Sequence, residues 1–164
     1  MLLLYIYFIE SYEMVINDYL SASLLGVFMY PFLKFIIDHE LYYLYVGLIL
    51  VIVDLSTAVI KKLTRNLGSA FERPMGAVKC DILCREGLVE GNPGFPSGHA
   101  TVAALFCTMI YLHTRDSRLL IFGIVYTGLI CYSRVAKKCH TIVQVTAGVL
   151  YGVLMGILSG KFAS

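Results

Sequence analysis

The sequence predicts an all-α protein, a polytopic membrane helix bundle with about five transmembrane helices. Of its 164 residues, 59% are hydrophobic and 15% charged, and the mean hydropathy is +0.78. This composition is too apolar for a soluble domain. Apolar runs long enough to cross about 30 Å of hydrocarbon alternate with short polar turns. The net charge of +2 gives no basic excess that would indicate a nucleic-acid partner.

The apolar runs define the spans of a single membrane-embedded domain, residues 1–164. The first run, residues 1–9, is too short to span the bilayer, so we expect residues 1–18 to form an interfacial N-terminal segment. Five spans are predicted over residues 19–37, 41–60, 97–112, 119–132 and 142–158. In the first span, Pro31 is expected to kink the helix.

One long polar stretch, residues 61–95, interrupts the apolar pattern. Loops of this length in compact proteins are usually functional or disordered, and we favour a functional loop. Counting crossings places it on the same membrane face as the turns at residues 93–99 and 133–140. We therefore expect three polar clusters to converge on this face.

The last span carries a stripe of glycines that recur every four residues, Gly148, Gly152, Gly156 and Gly160. Small residues at this spacing let two helix backbones approach closely in lipid. The partner is either another span of this chain or a second protomer in a homo-oligomer, and we favour the intramolecular partner.

The five cysteines have no spacing that indicates zinc binding or redox catalysis. Cys80 and Cys84 share the polar loop and could form a disulfide in an oxidising lumen. Two unpaired thiols are the simpler expectation.

The three polar clusters contain two histidines, His99 and His140, and two arginines, Arg73 and Arg134. Ser97 and Gly98 open an apolar helix, whose N-terminus offers unpaired N–H groups to an anion. Fixed cations, backbone donors and a nucleophile with an acid are what metal-free phosphoryl transfer requires. Because a metal site would need clustered carboxylates or more histidines, we predict no metal and no other cofactor.

Gln144 follows His140 by four residues, one helical turn. Its amide oxygen can orient one imidazole nitrogen and leave the other free to attack phosphorus. The candidate catalytic residues are therefore His140, His99 and Gln144.

Three motifs in this order resemble those of the type 2 phosphatidic acid phosphatase superfamily. They are Arg73-Pro74, Pro96-Ser97-Gly98-His99, and Ser133-Arg134 followed by His140. The resemblance implies that His140 is a nucleophile forming a phosphohistidine and that His99 protonates the leaving group. It also implies a phosphate-binding set of Arg73, Arg134, Ser97 and Gly98.

Two positions depart from that family's pattern. Asn66 stands where the family carries a lysine seven residues before its arginine, and Lys62 or Arg65 is expected to replace it in phosphate binding. Gln144 stands where most members have aspartate. The stretch from His140 to Val145 nevertheless resembles dolichyl diphosphatases, in which glutamine is usual.

This closer resemblance implies an isoprenoid diphosphate substrate, dolichyl or polyprenyl, and, in a eukaryote, an endoplasmic reticulum membrane with a lumenal site. The lysines and arginines of the active face point instead to the cytosol, and we favour the lumenal side. Phosphatidic acid or another lipid phosphate is the alternative substrate, and a catalytically silent scaffold of the same fold is the alternative function. If charge alone decides, Gln144→Asp should raise the activity on lipid monophosphates relative to the activity on diphosphates. Asp54, inside the second span, is expected to pair with a lysine, support a histidine or lie at the interface.

Overall fold

The computed structural model describes the backbone of residues 2–161 and the side chains of residues 12–161. Within these residues the chain is helical and forms no strand. The helices are α1 Leu2–Ala22, α2 Leu24–Asp38, α3 Leu41–Thr64, α4 Gly98–Thr114, α5 Ser117–Ala136 and α6 Ile142–Gly160. A short 3-10 helix, Ser69–Phe71, lies in the polar loop between α3 and α4. The predicted all-α class is confirmed.

The N-terminal region is more helical than expected. Helix α1 covers the predicted interfacial segment 1–18 except for Met1, which lies outside the described residues. The chain breaks at Ser23, whose side chain donates to the carbonyl of Leu20 at 2.7 Å, and α2 begins at the next residue. By length and hydropathy, residues Tyr12–Asp38 are one candidate span, which includes the predicted span 19–37. Pro31 lies inside α2.

Among residues 12–161, four helical segments are long and apolar enough to cross a membrane, namely Tyr12–Asp38, α3, α5 and α6. Helix α4 has 17 residues, about 26 Å at 1.5 Å per residue. It lies at the centre of the bundle, and most of its first eight residues are buried. Large apolar side chains such as Ile52, Leu55 and Phe122 point outward, as expected for helices surrounded by lipid.

The glycine stripe of α6 packs against α4. A Cβ added to Gly148 would lie 2.6 Å from the carbonyl oxygen of Ser97, and one added to Gly160 would lie 2.8 Å from the side chain of Leu112. The two helices therefore run parallel and in contact from the start of α4 to Leu112. The intramolecular partner is confirmed. Because α4 covers these glycines, the stripe is used within the chain, and the possible homo-oligomer stays a prediction.

Backbone hydrogen bonds join the two ends of the polar loop to each other, and a disulfide joins the loop to the turn between α5 and α6. The N–H of Arg73 donates to Asn92 at 2.8 Å, and that of Gly94 donates to Phe71 at 2.7 Å. Cys80 is bonded to Cys139, which lies in the turn between α5 and α6. Both expectations for Cys80 and Cys84 are therefore wrong. Cys80 pairs with Cys139, and of the two loop cysteines only Cys84 is a free thiol.

Candidate active site

The turn before α4 places the start of that helix against α6. Ser97 is the N-terminal cap residue of α4, and its N–H donates to the backbone carbonyl of Gln144 at 3.0 Å. The peptide bond between Phe95 and Pro96 is cis. The Ser97 hydroxyl makes no capping bond, so it stays available at the helix N-terminus.

His140 lies between α5 and α6 and is 2% exposed. Its backbone N–H donates to the backbone carbonyl of Arg134, and the ring Nδ1 lies 3.1 Å from Oε1 of Gln144. Because an amide oxygen only accepts hydrogen bonds, Nδ1 carries the ring proton and Nε2 keeps its lone pair. The imidazole is therefore oriented as a nucleophile through Nε2.

The amide of Gln144 is fully engaged. Its Nε2 donates to the carbonyls of Ala70 at 3.1 Å and Glu72 at 2.8 Å, while its Oε1 also accepts the N–H of Thr141 at 3.3 Å. Since the two carbonyls require donors, the orientation of the amide is determined. Gln144 thus connects His140 to the loop segment that ends at Arg73.

Arg134, at the C-terminal end of α5, is fully buried. Its Nη1 donates to the Ser21 hydroxyl of α1 at 2.7 Å, and its Nη2 donates to the carbonyl of Cys80. The guanidinium is therefore fixed by a helix and by the disulfide-bonded loop. Its Nε has no protein partner.

A cavity of about 420 Å³ brings the candidate residues together. Its polar lining includes Lys61, Arg73, His99 and His140, and its apolar wall includes Leu24, Phe28 and Val102. Gly98, which follows Ser97 in the chain, also lines the cavity. Arg134 donates a hydrogen bond to the carbonyl of Cys80, another lining residue. The apolar wall gives a lipid chain a place beside the polar groups.

Four buried polar atoms in the described part of the chain have no hydrogen-bond partner. They are Arg73 Nη1, Ser97 Oγ, His99 Nε2 and Arg134 Nε. Unpartnered buried polar atoms are costly, so a concentration of them at one site indicates a ligand. Two guanidinium nitrogens, a hydroxyl and an imidazole nitrogen are the groups that would bind a phosphate.

Charges of both signs line the cavity, because Asp54, Asp81 and Glu86 share it with Lys61 and Arg73, but the cations dominate at His140. Burial, then Arg134 and Arg73, lowers the pKa of His140 well below its usual 6.5. The imidazole is therefore neutral near pH 7, as a nucleophile must be. Burial also lowers the pKa of Arg73, which Glu86 partly opposes, and an arginine remains charged under such a shift.

The predicted replacements for the missing family lysine lie elsewhere. Lys62, Arg65 and Asn66 are exposed, and the cavity lining includes none of them. Lys61 reaches the cavity instead, twelve residues before Arg73. Sequence spacing missed it because α3 continues to Thr64, and on that helix positions 61 and 62 point in different directions.

No group of three His, Cys, Asp or Glu side chains within the described residues is arranged to bind a metal ion. The predicted independence of metals stays a prediction.

The comparisons with known proteins agree with the motifs. The model of the PAP2 superfamily matches residues 42–163, which include α3 to α6 and the polar loop. The chain belongs to this superfamily and is a membrane phosphatase of the type 2 phosphatidic acid phosphatase class. Searches of curated proteins and of solved structures gave no match.

Proposed function

We propose that this protein removes the terminal phosphate of an isoprenoid diphosphate, such as a dolichyl or polyprenyl diphosphate, through a phosphohistidine at His140. The observation that carries the proposal is the set of four unpartnered polar atoms beside the oriented imidazole. The apolar wall formed by Leu24, Phe28 and Val102 suits the lipid part of the substrate.

In the first step, Nε2 of His140 attacks the terminal phosphorus and the bond from phosphorus to the bridging oxygen breaks. The negative charge of the bound diphosphate favours the imidazolium form of His99, whose Nε2 proton passes to that oxygen, so the lipid monophosphate leaves as a protonated product and His99 becomes neutral. Arg73, Arg134 and Ser97 stabilise the charge on the non-bridging oxygens, with Lys61 as a further cation. Gln144 holds the Nδ1 proton and orients the ring.

In the second step, His99 accepts a proton from water, and the resulting hydroxide attacks phosphorus. The phosphorus–nitrogen bond breaks, inorganic phosphate leaves, and His140 recovers its lone pair. No metal takes part in either step, so we expect turnover to persist in the presence of a chelator.

The preference for a diphosphate depends on the neutral orienting residue. A carboxylate beside Nδ1 would stabilise the cationic imidazole more than the Gln144 amide does, and in a serine protease triad the change from Asp to Asn costs about 10⁴ in rate. A leaving phosphate monoester needs less assistance than a leaving alkoxide. A site with Gln144 therefore suits a diphosphate better than phosphatidic acid.

The test uses purified protein and a polyprenyl diphosphate labelled in the terminal phosphate. We expect label on His140 after rapid denaturation, with none in His140→Ala, and phosphate release with chelator present. His99→Ala should slow lipid monophosphate hydrolysis more than diphosphate hydrolysis, because the poorer leaving group needs the proton more. Faster release from phosphatidic acid would support the alternative substrate, and no release from any lipid would support the silent scaffold.

The proposed location is the endoplasmic reticulum membrane with the site on the lumenal side. The disulfide between Cys80 and Cys139 supports an oxidising compartment, because such bonds rarely persist in the cytosol.

A further inference from the structure

We propose that Asp54 is a positioning residue whose carboxylate keeps the Lys61 ammonium in the cavity, where Lys61 contacts the phosphate of the substrate. This inference rests on the proposed function, in which Lys61 is a further cation of the site, and adds Asp54 as the residue that positions it. Both residues line the cavity.

The two side chains converge on the first residue of α4. Asp54, Thr57 and Lys61 lie on one face of α3, at spacings of three and four residues. A Cβ added to Gly98 would lie 3.4 Å from Oδ1 of Asp54, 3.3 Å from Oγ1 of Thr57 and 3.8 Å from Nζ of Lys61. Because Gly98 has no Cβ, the carboxylate and the ammonium both reach the helix N-terminus beside His99.

A lysine at this position needs an opposing charge. Near the end of a span, a lysine side chain usually extends toward the headgroups, and the neighbouring Lys62 is indeed exposed. Lys61 instead lies in a cavity that also contains Arg73, and Arg134 is close enough to repel it. Asp54 offsets this repulsion from one side, two turns nearer the centre of the span.

Asp54 acts through Lys61 because a carboxylate would repel a phosphate directly. The structure contains no ion pair between the two side chains in its described part, so the ammonium keeps its hydrogens for a ligand. Before substrate binds, Asp54 reduces the mutual repulsion of the cations; after binding, the phosphate does so.

The experiment is a double-mutant cycle of Asp54→Asn, Lys61→Met and the double variant, with inorganic phosphate as the probe. We expect Asp54→Asn to raise the KM for polyprenyl diphosphate and the inhibition constant of phosphate about tenfold, a usual coupling for interacting neighbours, with less than about threefold change in kcat. In the Lys61→Met background, Asp54→Asn should have no further effect. Two outcomes would overturn the proposal. In one, the effects of the two single substitutions on KM and on the inhibition constant multiply in the double variant. In the other, Asp54→Asn alone leaves both constants unchanged.

Asp38→Asn is the matched control. Asp38 is likewise an aspartate on an apolar helix, but it pairs with Lys34 at 2.6 Å, away from the cavity, so phosphate inhibition should stay at the wild-type value. Asp54→Glu retains the charge and should keep most of the phosphate affinity, which separates positioning from a folding defect. Loss of affinity in Asp54→Glu equal to that in Asp54→Asn would count against a charge effect.

The same variants also test the inference if the wild type hydrolyses no diphosphate, a result that would defeat the proposed function alone. In that case, inorganic phosphate should still raise the unfolding temperature of the wild type more than that of Asp54→Asn. Equal phosphate-induced shifts in the two proteins would overturn the role of Asp54.

Discussion

Oε1 of Gln144 lies 3.1 Å from Nδ1 of His140, and Nε2 of the same amide donates to the carbonyls of Ala70 and Glu72. One side chain therefore orients the nucleophile and fixes the segment before Arg73. An aspartate could replace the first of these interactions, but it has no donor for the second.

This relationship changes the expectation for Gln144→Asp. The shorter carboxylate would leave the partly buried carbonyls of Ala70 and Glu72 without this donor, at about 0.5–1.5 kcal/mol each, and would repel them. We expect a lower unfolding temperature and loss of activity on both monophosphates and diphosphates, measured by thermal unfolding in detergent and by phosphate release. Unchanged stability with a higher ratio of monophosphate to diphosphate activity would instead support the expectation from charge alone.

Arg134 is predicted to resist conservative replacement. Its guanidinium contacts the Ser21 hydroxyl and the carbonyl of Cys80 while its Nε stays available, and a lysine ammonium cannot reproduce this planar geometry. We expect Arg134→Lys to reduce kcat/KM for polyprenyl diphosphate by about 10²-fold, comparable to the loss of one transition-state donor.

Ser21→Ala is the control for that loss, because it removes one contact of Arg134 and keeps the charge. It should cost less in kcat/KM than Arg134→Lys does, because the guanidinium and its contact with the Cys80 carbonyl remain. Near wild-type turnover in Arg134→Lys would remove Arg134 from the phosphate site.

The motifs predicted most of the site because their residues lie at helix ends and turns. The N-terminus of α4 at Ser97 and the one-turn spacing from His140 to Gln144 follow from local rules, and the structure brings both to one face. The spacing of glycines likewise predicted close helix packing, which depends on backbone geometry alone.

Long-range contacts could not be predicted in this way. The bond from Cys80 to Cys139 joins residues 59 apart, and nothing local distinguishes Cys139 from Cys84 as a partner. The contact of Ser21 with Arg134 joins α1 to α5, so the N-terminal helix supports the site although its sequence carries no motif. Lys61 was missed because its direction depends on the length of α3.

The disulfide between Cys80 and Cys139 is predicted to support activity. Cys139 precedes His140, and the Cys80 carbonyl accepts from Arg134, so the bond connects two parts of the site. We expect reductant or Cys80→Ser to lower kcat/KM for the diphosphate and to cost about 2–4 kcal/mol of stability. Cys107 and Cys131 are free thiols within α4 and α5. The variants Cys107→Ser and Cys131→Ser should therefore respond to reductant like the wild type. Wild-type activity that is insensitive to a reductant shown to open the bond would contradict this role.

The last prediction concerns the pH dependence of stability, which His140 should influence in one direction. Burial, with Arg134 and Arg73, lowers its folded-state pKa well below 6.5, whereas the unfolded chain keeps a pKa near about 6.5. Above that pH both states are neutral at His140 and its contribution to stability is fully present. As the pH falls below it, only the unfolded state binds the proton, so stability decreases by up to about 1.4 kcal/mol per pH unit until the folded pKa is reached.

The comparison is with His140→Gln, which cannot titrate. We expect the free energy of unfolding, measured by denaturant in detergent at pH 7.5, 6.5 and 5.5, to fall more steeply with acid in the wild type than in the variant. Parallel curves for the two proteins would mean that His140 takes up a proton equally well in the folded state. The neutral imidazole assigned to the nucleophile at pH 7 would then lose its electrostatic basis, since the positive charges of Arg73 and Arg134 would not be felt at His140.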